Sequence, residues 1–313
     1  NNYGQLGTSP GGAITTGREI YSNGISKIGI GVRSSYFIKD DGSLWGVGQG
    51  TDGQFGDGVV VDYSTPVLMD GGTVVEVSGG FNFTHYVKDD GSLWGMGYNA
   101  QGQLGDGSNS QQNTKLQIMG SGVVKVSNGY GFSVILKDDG TAWATGEGSS
   151  GQIGDGASVA RSSYVQVPGS WTGNVTDIAT GSYHVLYLID DGSVWAAGEN
   201  GLGQLGDGSS TIQSLPVQVY GGNIQAIFAG QDTSYFLKND GSFWATGQGI
   251  DGQFGDGSSA DVPSPVMIAA SGIDSVATYS GVSLFIMSDG SVMGSGYEES
   301  GELSVGTSTP TYH

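Results

Sequence analysis

Thirty Asp and Glu against ten Lys and Arg make carboxylates the commonest ionisable groups in this chain of 313 residues. Asp-Asp-Gly recurs at Asp40-Asp41, Asp89-Asp90, Asp138-Asp139 and Asp190-Asp191. Calcium would need six or more oxygen ligands, usually from several carboxylates in one loop. Each triplet offers only an adjacent pair, and hairpin turns favour Asp and Gly on conformational grounds alone. Gly-Gln-x-Gly-Asp-Gly recurs five times, from Gly53, Gly102, Gly151, Gly203 and Gly252. A phosphate cradle leads into a helix and carries a Lys; these runs do neither. Their Gln and Asp side chains (Asp57, Asp106, Asp155, Asp207, Asp256) suit loop bracing instead. His85, His184 and the terminal His313 form no His-Glu-x-x-His pattern, and cysteine is absent. No serine elbow lies between a strand and a helix. No acid pair stands out as catalytic. The expectation is a protein without catalytic residues, metal or cofactor.

The elements holding these turns repeat. Trp45, Trp94, Trp143, Trp195, Trp244 and Met293 follow one another at 49, 49, 52, 49 and 49 residues, a period that defines a repeat architecture; the tryptophans are expected to be core, each N–H meeting a partner in the neighbouring loop. Each period resolves into four short extended runs, labelled D, A, B and C in chain order. In the second, D is Pro66-Val67-Leu68-Met69 and A is Val74–Ser78. B is His85–Lys88 and C is Ser92–Met96, joined by Asp89-Asp90-Gly91. An Asp-Gly between apolar runs is a strong hairpin signal.

Pro66, Pro216 and Pro265 mark D as an edge strand, because proline cannot donate into a ladder. Strand A ends in small residues such as Ser78-Gly79-Gly80, suiting close convergence of sheets. A four-stranded antiparallel unit with a narrow inner strand is a propeller blade. The expected fold is an all-β propeller over 1–313 as one domain, with six complete repeats. The alternatives are seven blades with one incomplete or missing, and an open β-solenoid.

The Trp-Gly strand, the Gly-Gln-Leu-Gly loop and the following Val-x-x-Val-x-x-Gly strand resemble the repeats of the regulator of chromosome condensation family over nearly the whole chain. That family is usually seven-bladed. Its characteristic His after strand A survives as Gly181-Ser182-Tyr183-His184, with Ser34, Phe83, Phe132, Thr233 and Val282 elsewhere. The resemblance implies a binding platform. Its eukaryotic founder is a small-GTPase exchange factor that binds chromatin, a role at odds with the acidic balance here. The bacterial relatives are more similar and include a secreted inhibitor that docks on β-lactamases.

Where the repeat breaks, binding is expected. The A–B and C–D connections share one face, and the A–B tips vary: Arg33, Phe81 and Phe83, Tyr130 and Phe132, Tyr183 and His184, Asp232. Tyr98, Glu147 and Glu199 open the C–D loops beside them. Trp171, in the longer fourth D–A turn, is a possible second contact on the opposite face.

A net charge of −20 excludes a phosphate-backbone partner. No apolar run reaches membrane-spanning length. The Gly, Ser, Thr and Asn richness with few Lys reads as extracellular and bacterial. The chain opens inside a repeat, which suggests processing or excision. Both ends offer a D strand for one slot beside the last C strand. Thr309-Pro310-Thr311-Tyr312 is therefore expected to be a spare strand able to drive self-association. The expected function is non-catalytic recognition of a protein or glycan. The alternative is a fibre or coat subunit.

Overall fold

The computed structural model describes residues 1–8, 10–11, 19–297 and 303. The first blade is β1 (Ile25–Ile30), β2 (Ser34–Lys39), β3 (Leu44–Gly48) and β4 (Tyr63–Asp70), paired in that order. The second is β5 (Val74–Gly79), β6 (Phe83–Lys88), β7 (Leu93–Gly97) and β8 (Gln112–Met119). The third is β9 (Val123–Asn128), β10 (Phe132–Lys137), β11 (Ala142–Gly146) and β12 (Arg161–Gln166). The fourth is β13 (Val175–Thr180), β14 (His184–Ile189), β15 (Val194–Gly198) and β16 (Gln213–Tyr220). The fifth is β17 (Ile224–Ala229), β18 (Thr233–Lys238), β19 (Phe243–Gly247) and β20 (Val262–Ala269). The sixth shows three strands among the described residues: β21 (Ile273–Tyr279), β22 (Val282–Met287) and β23 (Val292–Gly296). The fold is an all-β, six-bladed propeller of antiparallel sheets, with no helix among the described residues. Blades 1–3 form one compact unit and blades 4–6 another.

Strands run A, B, C, D across each blade, so every D strand pairs with the C strand before it. The proline-bearing β4, β16 and β20 are outermost, as proline requires. The D strand expected from Ile14, the spare segment Thr309–Tyr312 and the closure drawn from them lie outside the described residues.

Each B–C hairpin is held by its own side chains. Gly42 takes the left-handed conformation (φ 78°) that the tight turn needs. Asp41 Oδ1 accepts the Ser43 N–H at 2.9 Å and the Ser43 hydroxyl at 2.6 Å. Trp45 Nε1 donates to Ser43 Oγ at 3.0 Å, and Lys39 Nζ lies 4.1 Å from the ring centre. The third and fifth blades repeat this set, with Lys238 3.7 Å from Trp244. The repeated tryptophans are therefore half-buried hairpin residues and not core. In Trp45, Trp94, Trp143 and Trp244 the N–H partner is the hydroxyl two residues earlier, not a neighbouring loop, while Trp195 Nε1 has no hydrogen-bond partner.

The C–D loops brace themselves and staple one blade to the next. Gln54 Oε1 accepts the Asp52 N–H, and Asp57 Oδ1 accepts the Val59 N–H, both at 2.9 Å. The Gln54 carbonyl accepts the Thr84 hydroxyl of blade 2 at 2.9 Å, and the Gly58 N–H donates to Asn113 O. Ser133 on Gln103 O and Ser234 on Gln204 O repeat the staple. Beneath it, Tyr36, Ile38, Leu44 and Phe55 pack on Val74, Val77, Tyr86 and Met96. Burying each such side chain contributes about 1.5–3 kcal/mol.

One joint is also charged. Asp70, at the end of β4, takes Lys88 and Lys115 at 3.1 Å each and the Tyr86 hydroxyl at 2.8 Å. Burial alone would raise its pKa, but these donors together hold it below the usual value.

Candidate protein-binding face

In the first unit the A–B tips are tied edge to edge. Val32 N donates to Gly80 O and Phe81 N to Tyr130 O, each at 3.3 Å. Above these bonds the side chains form a ladder. The Arg33 guanidinium lies 5.2 Å from the Tyr3 ring centre and 5.1 Å from that of Phe81. Phe81 in turn stacks on Tyr130 at 4.2 Å, with planes 21° apart. Arg33 also donates to Gln49 Oε1 at 3.3 Å. Each cation–π contact is worth about 0.5–1 kcal/mol at such a half-buried site, and the ring pair about 0.5–1.5. The ladder is thus ordered before any partner arrives. Burial raises the pKa of nearby Asp52, and the charge of Arg33 opposes the rise. Tyr98 is exposed at 37 %.

Three residues expected on this face are not on it. Phe83, Phe132 and His184 are each no more than 1 % exposed. They open strands β6, β10 and β14, where the side-chain alternation has already begun and points them inward. The glycine three residues earlier makes room. A Cβ on Gly80 would fall 2.1 Å from the Phe83 ring, and one on Gly181 2.1 Å from that of His184. His184 Nε2 meets Ser234 Oγ at 2.9 Å, while its Nδ1 has no hydrogen-bond partner. Burial pulls its pKa down to about 4, and does the same to His85, which contacts Asn128 Oδ1 and the Leu104 carbonyl.

In the second unit, Tyr183 and Asp232 are half-buried tip residues, with Ser182 N donating to Gln231 O. Burial raises the Asp232 pKa, partly offset by Gln231. Trp171 packs on Trp195 (5.8 Å) and Tyr187 (5.5 Å). In this blade Ile189 replaces the lysine that elsewhere lies on the tryptophan, and Trp171 covers the ring instead.

Tyr3 and Gln49 were not singled out by sequence reasoning. The signal for Tyr3 was its register: Tyr3-Gly4-Gln5 lies one period before Asp52-Gly53-Gln54. Among the described residues no group of three or more His, Asp or Glu side chains converges as a metal site. The second aspartate of each Asp-Asp-Gly turn accepts an N–H of its own hairpin.

Antiparallel blades stapled to one another at a regular period define a repeat propeller. The chain belongs to the RCC1-like domain family, which matches residues 1–312. It is similar to human WBSCR16, at 21% identity and a TM-score of 0.82 over 93% of this chain and 81% of that one. Prp20p from Saccharomyces cerevisiae, described with its binding properties to Gsp1p and histones, gives 20% and 0.80 over 92% and 75%. Yeast RCC1 (Prp20) bound to Kap60 gives 18% and 0.78 over 92% and 73%.

Proposed function

We propose that this protein is a non-catalytic module that binds a protein partner through the A–B/C–D face of blades 1–3. The observation that carries this reading is the ladder Tyr3–Arg33–Phe81–Tyr130. Tyr, Phe and Arg held rigid on loop tips are the residue types that anchor interfaces. A sugar would need an open ring face, whereas Phe81 is covered by Arg33 on one side and stacked on Tyr130. Ring edges remain for contact, which favours protein over glycan. The protein-binding relatives support the class of ligand, and the net charge of −20 favours a cationic partner. The setting we propose is extracellular and bacterial, resting on composition alone.

Comparative capture with the wild-type chain and a Phe81→Ala/Tyr130→Ala variant tests the reading. A partner held by the first and released by the second supports it. Equal retention of every captured partner overturns it.

A further inference from the structure

The B–C hairpins of four blades hold a lysine against their tryptophan, and that of blade 4 does not. Lys39, Lys88, Lys137 and Lys238 place Nζ 3.7–5.2 Å from the ring centres of Trp45, Trp94, Trp143 and Trp244. In the same hairpins the indole N–H donates to a Ser or Thr hydroxyl at 2.9–3.0 Å. The turn carboxylates Asp41, Asp90, Asp139 and Asp240 are held below their usual range by that Ser or Thr first, and by the lysine charge as well.

Blade 4 keeps these surroundings but not the cation. Ile189 stands in the lysine position, and Asp191 is held low by Ser193 with no lysine contributing. Trp171 meets the Trp195 ring edge-on instead, at 5.8 Å and 67°. Its presence there coincides with two unsatisfied polar groups. Tyr187 is fully buried and its hydroxyl has no hydrogen-bond partner, and neither has Trp195 Nε1. Trp171 thus fills the place of a lysine without meeting the polar groups around it.

The loop that carries Trp171 is built to release it. It belongs to the period that is 52 residues long instead of 49, and residues 168–170 and 172–174 are exposed around the half-buried indole. Glycines bracket the ring. A Cβ on Gly169 would fall 2.1 Å from Trp171 Cε3, and Gly173 takes a φ of 104°. The loop is pinned to the hairpin beyond the indole, where Asn174 N donates to Asp190 Oδ2 at 3.1 Å and Asp190 N to Asn174 O at 3.0 Å.

We propose that this corner of blade 4 binds a lysine side chain of a partner protein, and that Trp171 is the plug it displaces. The ammonium takes the place that Lys39 and its counterparts take in their own hairpins, against Trp195 and within reach of the Asp191 charge. The Tyr187 hydroxyl is its acceptor. In blade 2 the equivalent Tyr86 hydroxyl and Lys88 Nζ meet on one oxygen of Asp70, so a cation here lies beside the tyrosine oxygen. Trp195 Nε1 then turns to Ser193 Oγ, as Trp94 Nε1 turns to Ser92. The net charge of −20 draws cations to the chain. The corner lies at the B–C end of blade 4, away from its A–B tip, and does not depend on the ladder.

The probe is a short Gly/Ser peptide with one central lysine, titrated into the full chain while the indole N–H signals are followed by NMR. Trp171→Phe and Trp195→Phe assign the two signals that matter. The lysine peptide is expected to move both, the Trp195 signal shifting towards those of Trp94 and Trp244. The same peptide with its lysine acetylated should move neither. Ile189→Lys supplies the cation from within and should weaken peptide binding at least about tenfold. It should also expose Trp171, read as faster acrylamide quenching of its fluorescence. Tyr187→Phe keeps the shape, removes the acceptor and should weaken binding at least about twofold. Phe81→Ala/Tyr130→Ala should bind the peptide as the parent does, so that failure of the tip interface and failure of this site are read separately. Still signals at millimolar peptide overturn the proposal, as does equal movement with the acetylated peptide. Binding that Tyr187→Phe leaves unchanged overturns it too, as does a folded Ile189→Lys chain that binds like the parent.

Discussion

Phe81 stacks on Tyr130 across a blade joint, although 49 residues separate them in the chain. The contact belongs to neither blade alone. Phe81→Ala should weaken partner binding by about 1 kcal/mol or more, while a Tyr98→Ala control in the adjoining loop costs less. Isothermal titration with a captured partner gives the numbers. Equal losses at both positions would remove the ladder from the interface.

The buried histidines should make the fold acid-sensitive. With pKa values near 4 in the folded state against 6.5 for a free imidazole, the unfolded chain binds more protons between those limits. Stability is then full above about pH 6.5 and falls as pH drops towards 4, by of order 3 kcal/mol per histidine. His184→Phe copies what blades 2 and 3 carry and removes an unpartnered nitrogen. Urea midpoints measured from pH 7 to pH 4 should fall less steeply in this variant; an unchanged slope refutes the assignment.

Asp70→Asn leaves Lys88 and Lys115 without their carboxylate. Removing one partner of a buried pair costs about 3–5 kcal/mol, but both lysines are partly exposed, so about 2 is expected. Because the folded pKa of Asp70 is lowered, its contribution is present above the unfolded value and lost as pH falls through the folded one. Chemical denaturation at pH 7 and pH 3 should therefore show a larger difference between parent and variant at pH 7. A difference independent of pH counts against the charged clamp.

Gly80→Ala should destabilise by about 1–3 kcal/mol through overpacking, since its Cβ meets the Phe83 ring. Phe83→Ser, the residue type that blade 1 carries at Ser34, should relieve much of that cost. A double-mutant cycle measures the coupling; simple additivity would show that the clash lies elsewhere.

Nearly all of the fold was legible in the sequence, because a period of 49 residues with Asp-Gly turns and edge prolines admits few architectures. The tips were legible in position but not in direction. Phe81 and Phe83 are two residues apart, and they differ in that Phe83 is the first residue of β6 while Phe81 lies in the loop before it. The spacing Gly80-x-x-Phe83, shared with Gly181-x-x-His184, was the available sign that the later ring turns inward. The tryptophans misled for a related reason. Their size suggested core, whereas the Lys, Asp and Ser of the same hairpin already met their needs. The clamp at Asp70 was not foreseen, because its partners come from two other strands and no repeated motif marks it.

The staple between blades bears on how such a chain could lengthen. One sequence period contains the loop and D strand of one blade followed by three strands of the next. A duplication of that period in the gene would therefore not add a free-standing sheet. It would add a copy already hydrogen-bonded to its predecessor through a Gln carbonyl and a hydroxyl, as Gln54 and Thr84 are here. Growth by one whole period, in whatever phase it is cut, therefore supplies both partners of each new joint.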